Sequence, residues 1–207
     1  MKRSLVFAVL TATLAVPSAF AHQPRLVRDR PSIEVRNPEI SQAFYAWLNG
    51  SAQSYYIRSD TPFRLYLNLL VPDQPGIVTD FVAVIYSGGE EPANRIATLS
   101  GEGFAWRKFF EPFGGDRYLI GPELDRNVLA GAYVVVVSRP GLKGKYALAV
   151  GKKERFPPGE IIRTLRVLPR IKKEFFGKPA IAGYFNMMGA SLAVAVNGIV
   201  ALLSLLF

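Results

Sequence analysis

The chain has 207 residues, half of them apolar, with no cysteine, a single histidine and a formal charge of +9. The missing cysteines exclude a disulfide scaffold and thiolate metal ligands. The lone histidine leaves a Ser-His catalytic arrangement without an internal base. Nine of the Lys and Arg residues, against three Glu, fall between Lys152 and Lys178, while His22 to Gly151 carries only +1. A nucleic-acid binder is expected to carry its charge on the folded body, so nucleic acid is not an expected partner.

Residues 1–21 have the three-part pattern of a secretory signal. Lys2 and Arg3 precede an apolar run from Leu5 to Val16, and Ala19-Phe20-Ala21 presents small residues at the cleavage positions. The run is short for a membrane span. Cleavage after Ala21 is expected, which would make His22 the first mature residue. Residues 22–40, rich in Arg and Pro, read as a linker.

Residues 41–151 read as strands separated by Gly, Pro, Asn and Asp. "PFRLYLNLLVPD" places Phe63, Leu65, Leu67 and Leu69 on one face, and "DFVAVIYSGG" and "GAYVVVVSRPG" are dense in β-branched and aromatic residues. "GKYALAVG" alternates Tyr146, Leu148 and Val150 with Lys145, Ala147 and Ala149. "SQAFYAWLNG" fits a strand or a short helix. No amphipathic helix separates these runs, so the expected fold class is all-β, an antiparallel β-sandwich.

Within the strand region, Trp106, Phe109, Phe110, Phe113 and Tyr118 crowd together among charged residues. If exposed they would make a platform for a ligand or partner; aromatic residues in strands also belong to cores. Glu90, Glu91 and Asp125 are the candidate acid and base of a hydrolase with a carboxylate pair. "SGGEEPAN" reads as a solvated turn, and adjacent strand residues point to opposite faces. No catalytic residue is assigned. His22 is the candidate metal ligand, because a terminal amine and its own imidazole chelate copper. No second His accompanies it, and Met187 and Met188 lie in the tail. No cofactor is assigned.

"LAGAYVVVVSRPGLKGKYALAV", Leu129 to Val150, pairs Gly131 with Tyr133 and Gly144 with Tyr146. It resembles the end of bacterial pre-peptidase C-terminal domains, and Gly50 to Leu67 resembles their opening strands. The resemblance covers about residues 41–150. It implies a jelly-roll-like sandwich serving as a binding or accessory module rather than an enzyme. The stretch "GEGFAWRKFFEPFGGDRYLIGPEL" departs from that pattern.

Residues 152–179 form a basic amphipathic segment. On a helical wheel Ile161, Ile162, Leu165, Leu168, Ile171, Phe175 and Phe176 share one half, and Arg163, Arg166, Arg170 and Lys173 the other. Lys172 falls among the apolar positions, and Pro169 would kink the helix. The pattern fits a helix lying on a membrane surface, with Arg163, Arg166, Arg170, Lys172, Lys173 and Lys178 toward anionic lipid. It also fits a helix packed on the domain. Residues 180–207 carry no charge, and Met188 to Phe207 alone is long enough to span a bilayer. On a heptad repeat Gly183, Asn186, Ala190, Ala193, Asn197 and Ser204 form a stripe of small or amide side chains, the composition of a helix-partner face in lipid. The sequence therefore points to a membrane-anchored extracytoplasmic sandwich, on the periplasmic side of an inner membrane, that binds lipid and a membrane protein or a second copy of itself. The alternatives are a periplasmic copper-handling protein using His22 and the carboxylate hydrolase.

Overall fold

The alternation in residues 63–69 has its structural counterpart: Phe63, Leu65, Leu67 and Leu69 are all buried on one side of a strand. The computed structural model describes residues 22–112 and 114–184; the leader, Phe113 and the tail from residue 185 lie outside the described residues. Among the described residues, eleven strands run in chain order as β1 (Gln23–Arg28), β2 (Ser32–Val35), β3 (Gln42–Asn49), β4 (Gln53–Ser59), β5 (Phe63–Pro72), β6 (Val82–Ser87), β7 (Arg95–Ser100), β8 (Arg107–Glu111), β9 (Asp116–Val128), β10 (Gly131–Ser138) and β11 (Lys143–Val150). They form a six-stranded sheet in the order β1-β3-β11-β5-β9-β8 and a five-stranded sheet in the order β2-β4-β10-β6-β7. The ambiguous "SQAFYAWLNG" is strand β3, inside the larger sheet.

The inner faces of the two sheets meet in one apolar core. Phe44, Ala46, Leu48, Leu67, Tyr146 and Leu148 of the larger sheet face Tyr55, Ile57, Ala83, Ile85, Val135 and Val137 of the smaller. Trp106 closes one edge. Its indole lies so near Gly121 and Gly101 that a Cβ at either position would come within 3 Å of the ring, and its Nε1 donates to the Gly101 carbonyl at 3.0 Å.

Two sequence expectations change at the N-terminal end. Residues 22–40 are not a linker: they supply β1 and β2, one to each sheet, and Val27, Ile33 and Val35 bury in the core. Nor is the sandwich wholly antiparallel, since β1 pairs with β3, and β2 with β4, in parallel. The crossing between the sheets is held by a buried amide. Gln53 donates from Nε2 to the Arg28 and Arg30 carbonyls, both at 2.8 Å. Its Oε1 accepts from the Tyr146 hydroxyl at 2.7 Å, and that hydroxyl shares a hydrogen bond with Tyr55. The buried Gln53 amide and the Tyr55 and Tyr146 hydroxyls thereby all find partners, as burial requires.

Beyond β11 the chain forms a helix, α1 (Pro158–Arg170), which continues without a break into a π-helical turn over Ile171–Phe175. Pro158 opens it at a position where a missing N–H costs nothing. This segment packs on the outer face of the six-stranded sheet. Ala43, Ala147 and Ala149 leave room there, and Leu168, Ile171, Phe175 and Phe176 fill it against Tyr45 and Tyr118. Phe175 meets Tyr45 and Trp47 edge to face, with ring centroids 5.1 and 5.5 Å away. Two ion pairs tie β1 to the two ends of the segment: Arg25 with Glu160 at 2.5 Å and Arg28 with Glu174 at 2.8 Å. Among the described residues no helix is long and apolar enough to cross a membrane; the span expected over 188–207 lies outside them.

Candidate functional site

Wherever residues expected to act are brought together, the helical segment is involved. Between it and the sheet lies a narrow cavity of about 50 Å³ whose lining includes His22, Tyr45, Glu111, Asp116, Tyr118 and Leu168. That is space for a few waters at most, too little for a sugar or a nucleotide. Tyr45 and Tyr118 share a hydroxyl hydrogen bond of 2.8 Å at its wall, and burial raises the pKa of both phenols.

His22 borders this cavity. Its Nδ1 lies 2.6 Å from the Ser41 hydroxyl, and burial lowers its pKa to about 4, holding the imidazole neutral. The two carboxylates that share the cavity are already occupied. Glu111 accepts the Gly114 N–H at 2.6 Å, and Asp116 accepts from Lys172 and from Lys178. Among the described residues no three His, Asp or Glu are grouped to hold a metal ion.

Lys172 was expected on a membrane surface. It is instead 1% exposed and bonded to Asp116 and to the Gly114 carbonyl. Desolvation lowers its pKa against the opposing pull of Asp116. Lys178 completes the cluster at 2.8 Å from the same carboxylate. The remaining members of the basic set, Arg163, Arg166, Arg170 and Lys173, are exposed on the outer side of the helical segment. Arg170 reaches Glu174 at 3.5 Å, whereas Arg163 and Arg166 have no carboxylate within ion-pair distance among the described residues. The wheel was therefore right about amphipathicity and incomplete about its partner. The apolar half divides between the sheet, which takes Leu168, Ile171, Phe175 and Phe176, and solvent, where Ile161 and Ile162 remain.

Pro169 produces a local gap. Without an N–H it cannot bond the Leu165 carbonyl one turn back. The Tyr184 hydroxyl supplies that bond instead, at 3.3 Å. The turn Ala180–Gly183 settles over the same spot, and a Cβ on Gly183 would lie 3.1 Å from the Pro169 nitrogen. Gly183, expected on a helix-partner face, is buried against its own chain. Asn186, Ala190, Ala193, Asn197 and Ser204 lie outside the described residues.

The aromatic platform is not one surface. Tyr118 is buried under the helical segment, Phe109 is partly buried beside it, and Trp106 belongs to the inner core; Phe110 is 56% exposed at the edge strand β8, and Phe113 lies outside the described residues. The alternation of β8 and β9 sends neighbouring rings to opposite faces. The carboxylates do not pair either. Asp125 lies between Arg64 and Lys152, at 2.6 and 2.7 Å, and hydrogen bonds from both lower its pKa to about 2. Glu90 accepts from the Ser54 hydroxyl at 3.1 Å. Sequence reasoning missed the Asp116 cluster, although a lysine among the apolar positions of the wheel was its signal.

No known family profile matches the chain, and no curated protein matches it. Solved structures similar to it include the pre-peptidase C-terminal domain of a Bacillus anthracis collagenase, at 11% identity and a TM-score of 0.34 over 63% of this chain and 95% of that one. CorA, a surface-associated copper-binding protein of Methylomicrobium album BG8, matches at 8% identity and a TM-score of 0.30 over 61% of this chain and all of that one. A β-glucosidase from Paenibacillus barengoltzii matches at 10% identity and a TM-score of 0.27 over 63% of this chain but only 13% of its own length.

Proposed function

We propose that the protein is a non-catalytic β-sandwich module, exported by its leader and held at the outer face of a membrane by its C-terminal apolar segment. There it binds or assembles with a membrane protein or a second copy of itself. The observation that carries this reading is the handover at Tyr184. A sandwich with a helical segment built onto it leads directly into 23 residues without a charge. That composition suits lipid. The small and amide stripe from Asn186 to Ser204 suits a helix partner.

Membranes from cells producing the full chain test the reading. The protein should resist alkaline extraction, begin at His22 and be open to protease from the extracytoplasmic side. A partner or second copy should co-purify in mild detergent and be lost with Asn197→Leu plus Ala190→Leu. Recovery in the soluble fraction, or protection from external protease, would overturn it.

A further inference from the structure

Packing α1 against the sheet leaves one end of the helical segment apolar and open. Ile161, Ile162, Ile181 and Tyr184 are between 41% and 59% exposed. Ile161 and Ile162 come from the first turns of α1; Ile181 and Tyr184 come from the turn that packs over Pro169, where Gly183 meets the helix backbone and Tyr184 bonds the Leu165 carbonyl, one helical turn beyond Ile161. Arg163 and Arg166 adjoin this patch. Arg166 lies one turn beyond Ile162, and both guanidinium groups lack a carboxylate partner among the described residues.

We propose that this patch is a seat on an anionic lipid bilayer. The isoleucines and the tyrosine ring enter the headgroup boundary, and Arg163 and Arg166 engage lipid phosphates. Two observations select a bilayer as the occupant. The chain leaves the patch at Tyr184 and continues into residues 185–207, which carry no charge, so lipid taken up by that segment would lie against the patch. The rim beside the patch is arginine, whose planar fork matches phosphate and whose charge is attracted to anionic headgroups. Apolar side chains bordered by basic ones are what an interfacial surface requires. The seat differs from the surface that the wheel implied. Leu168, Ile171, Lys172, Phe175 and Phe176 are committed to the sheet and take no part. Because the helical segment is fixed to the sandwich by Arg25–Glu160, Arg28–Glu174 and Lys172–Asp116, seating it would hold the whole sandwich in one orientation rather than on a loose tether.

The inference rests on the anchor reading, and the experiment separates the two. The sequence contains no cysteine, so Ile162→Cys, Ile181→Cys and, as a control on the opposite sheet, Thr98→Cys each give one labelling site. The full mature chain with a polarity-sensitive fluorophore is reconstituted into vesicles of phosphatidylcholine with phosphatidylglycerol, or of phosphatidylcholine alone. Spin-labelled lipid should quench the probes at 162 and 181 in anionic vesicles and leave the probe at 98 unquenched. Arg163→Gln with Arg166→Gln should lower the docking equilibrium about thirty-fold, from roughly fivefold per basic residue. If the chain survives an alkaline wash but probes 162 and 181 behave like probe 98, the anchor stands and the seat is overturned. Equal quenching with and without phosphatidylglycerol would overturn the role of the arginines. A chain that washes off the vesicles overturns both.

Discussion

The two outer faces of the sandwich have opposite fates. On the six-stranded sheet the outer positions include Ala43, Tyr45, Ala147, Ala149 and Tyr118, and these five are buried beneath the helical segment with Ile171, Phe175 and Phe176. On the five-stranded sheet the outer positions include Ser32, Glu34, Ser54, Tyr56, Val84 and Thr98, and no described helix covers them. Val134 is buried there, in register between Tyr56 and Tyr86. Small outward alanines beside aromatic rings make a floor onto which a helix can close; serine, threonine and charged residues are satisfied by water. The covered face also holds a buried ion cluster, and among the described residues the open face holds none. A covered face has its stability tied to the helix, so damage there should reach the whole domain, while the open face should tolerate change.

The largest effects are expected on the covered face. Asp116→Ala leaves Lys172 buried without its carboxylate, which should cost about 3–5 kcal/mol, read as a fall in the denaturant midpoint. Lys172→Met should cost far less, because an apolar chain of similar length replaces the buried charge and Lys178 still pairs with Asp116. If the two substitutions cost the same, the cluster is not acting as a desolvated pair. Phe175→Ala removes a fully buried ring and should cost about 3 kcal/mol or more. The matching truncation on the open face, Tyr56→Ala, should stay near 0.5 kcal/mol. Similar losses at both positions would erase the contrast between the faces.

An intermediate effect should appear on acidification. His22 has its pKa lowered to about 4 in the fold, below its ordinary value of about 6.5. Above that ordinary value the shift has no effect on stability. As pH falls from about 6.5 toward 4 the unfolded chain takes up a proton that the fold refuses, so stability declines over that window. Between pH 7 and pH 5 the loss should be about 1–2 kcal/mol, and His22→Gln should remove that part of the pH dependence. A wild-type midpoint unchanged between these pH values would show that the imidazole protonates inside the fold. The smallest effect expected on the covered side is Tyr184→Phe, which deletes only the hydroxyl that serves the Leu165 carbonyl and should cost about 1 kcal/mol.

Much of this architecture was legible in the residues. Strands with strict alternation, such as Phe63 to Leu69 and Tyr146 to Val150, announced both their structure and their buried face. Strands β1 and β2 were not legible, because a parallel edge strand of four to six residues with Arg, Asp and Pro around it has the composition of a linker. Their place depends on Gln53, whose amide takes the carbonyls of the crossing. The helical segment was legible as amphipathic, but an apolar face looks the same whether sheet or lipid covers it. Two residue-level signals did separate these outcomes. Ala147 and Ala149 on the outward side of β11 leave space for a helix, and Lys172 within the apolar half requires a buried carboxylate. The aromatic stretch was misleading for the opposite reason: crowding in sequence does not mean sharing a face when alternate side chains leave a strand on opposite sides.

Attachment of the helical segment to the sandwich fixes where the tail begins relative to the domain. Amide hydrogen exchange of the full chain, resolved by peptide, measures it directly. The amides of residues 171–176 should exchange as slowly as those of β5 and β11, through global opening. Exchange at those positions as fast as in the exposed turn at Gly88 to Glu90, with β5 and β11 still protected, would contradict it.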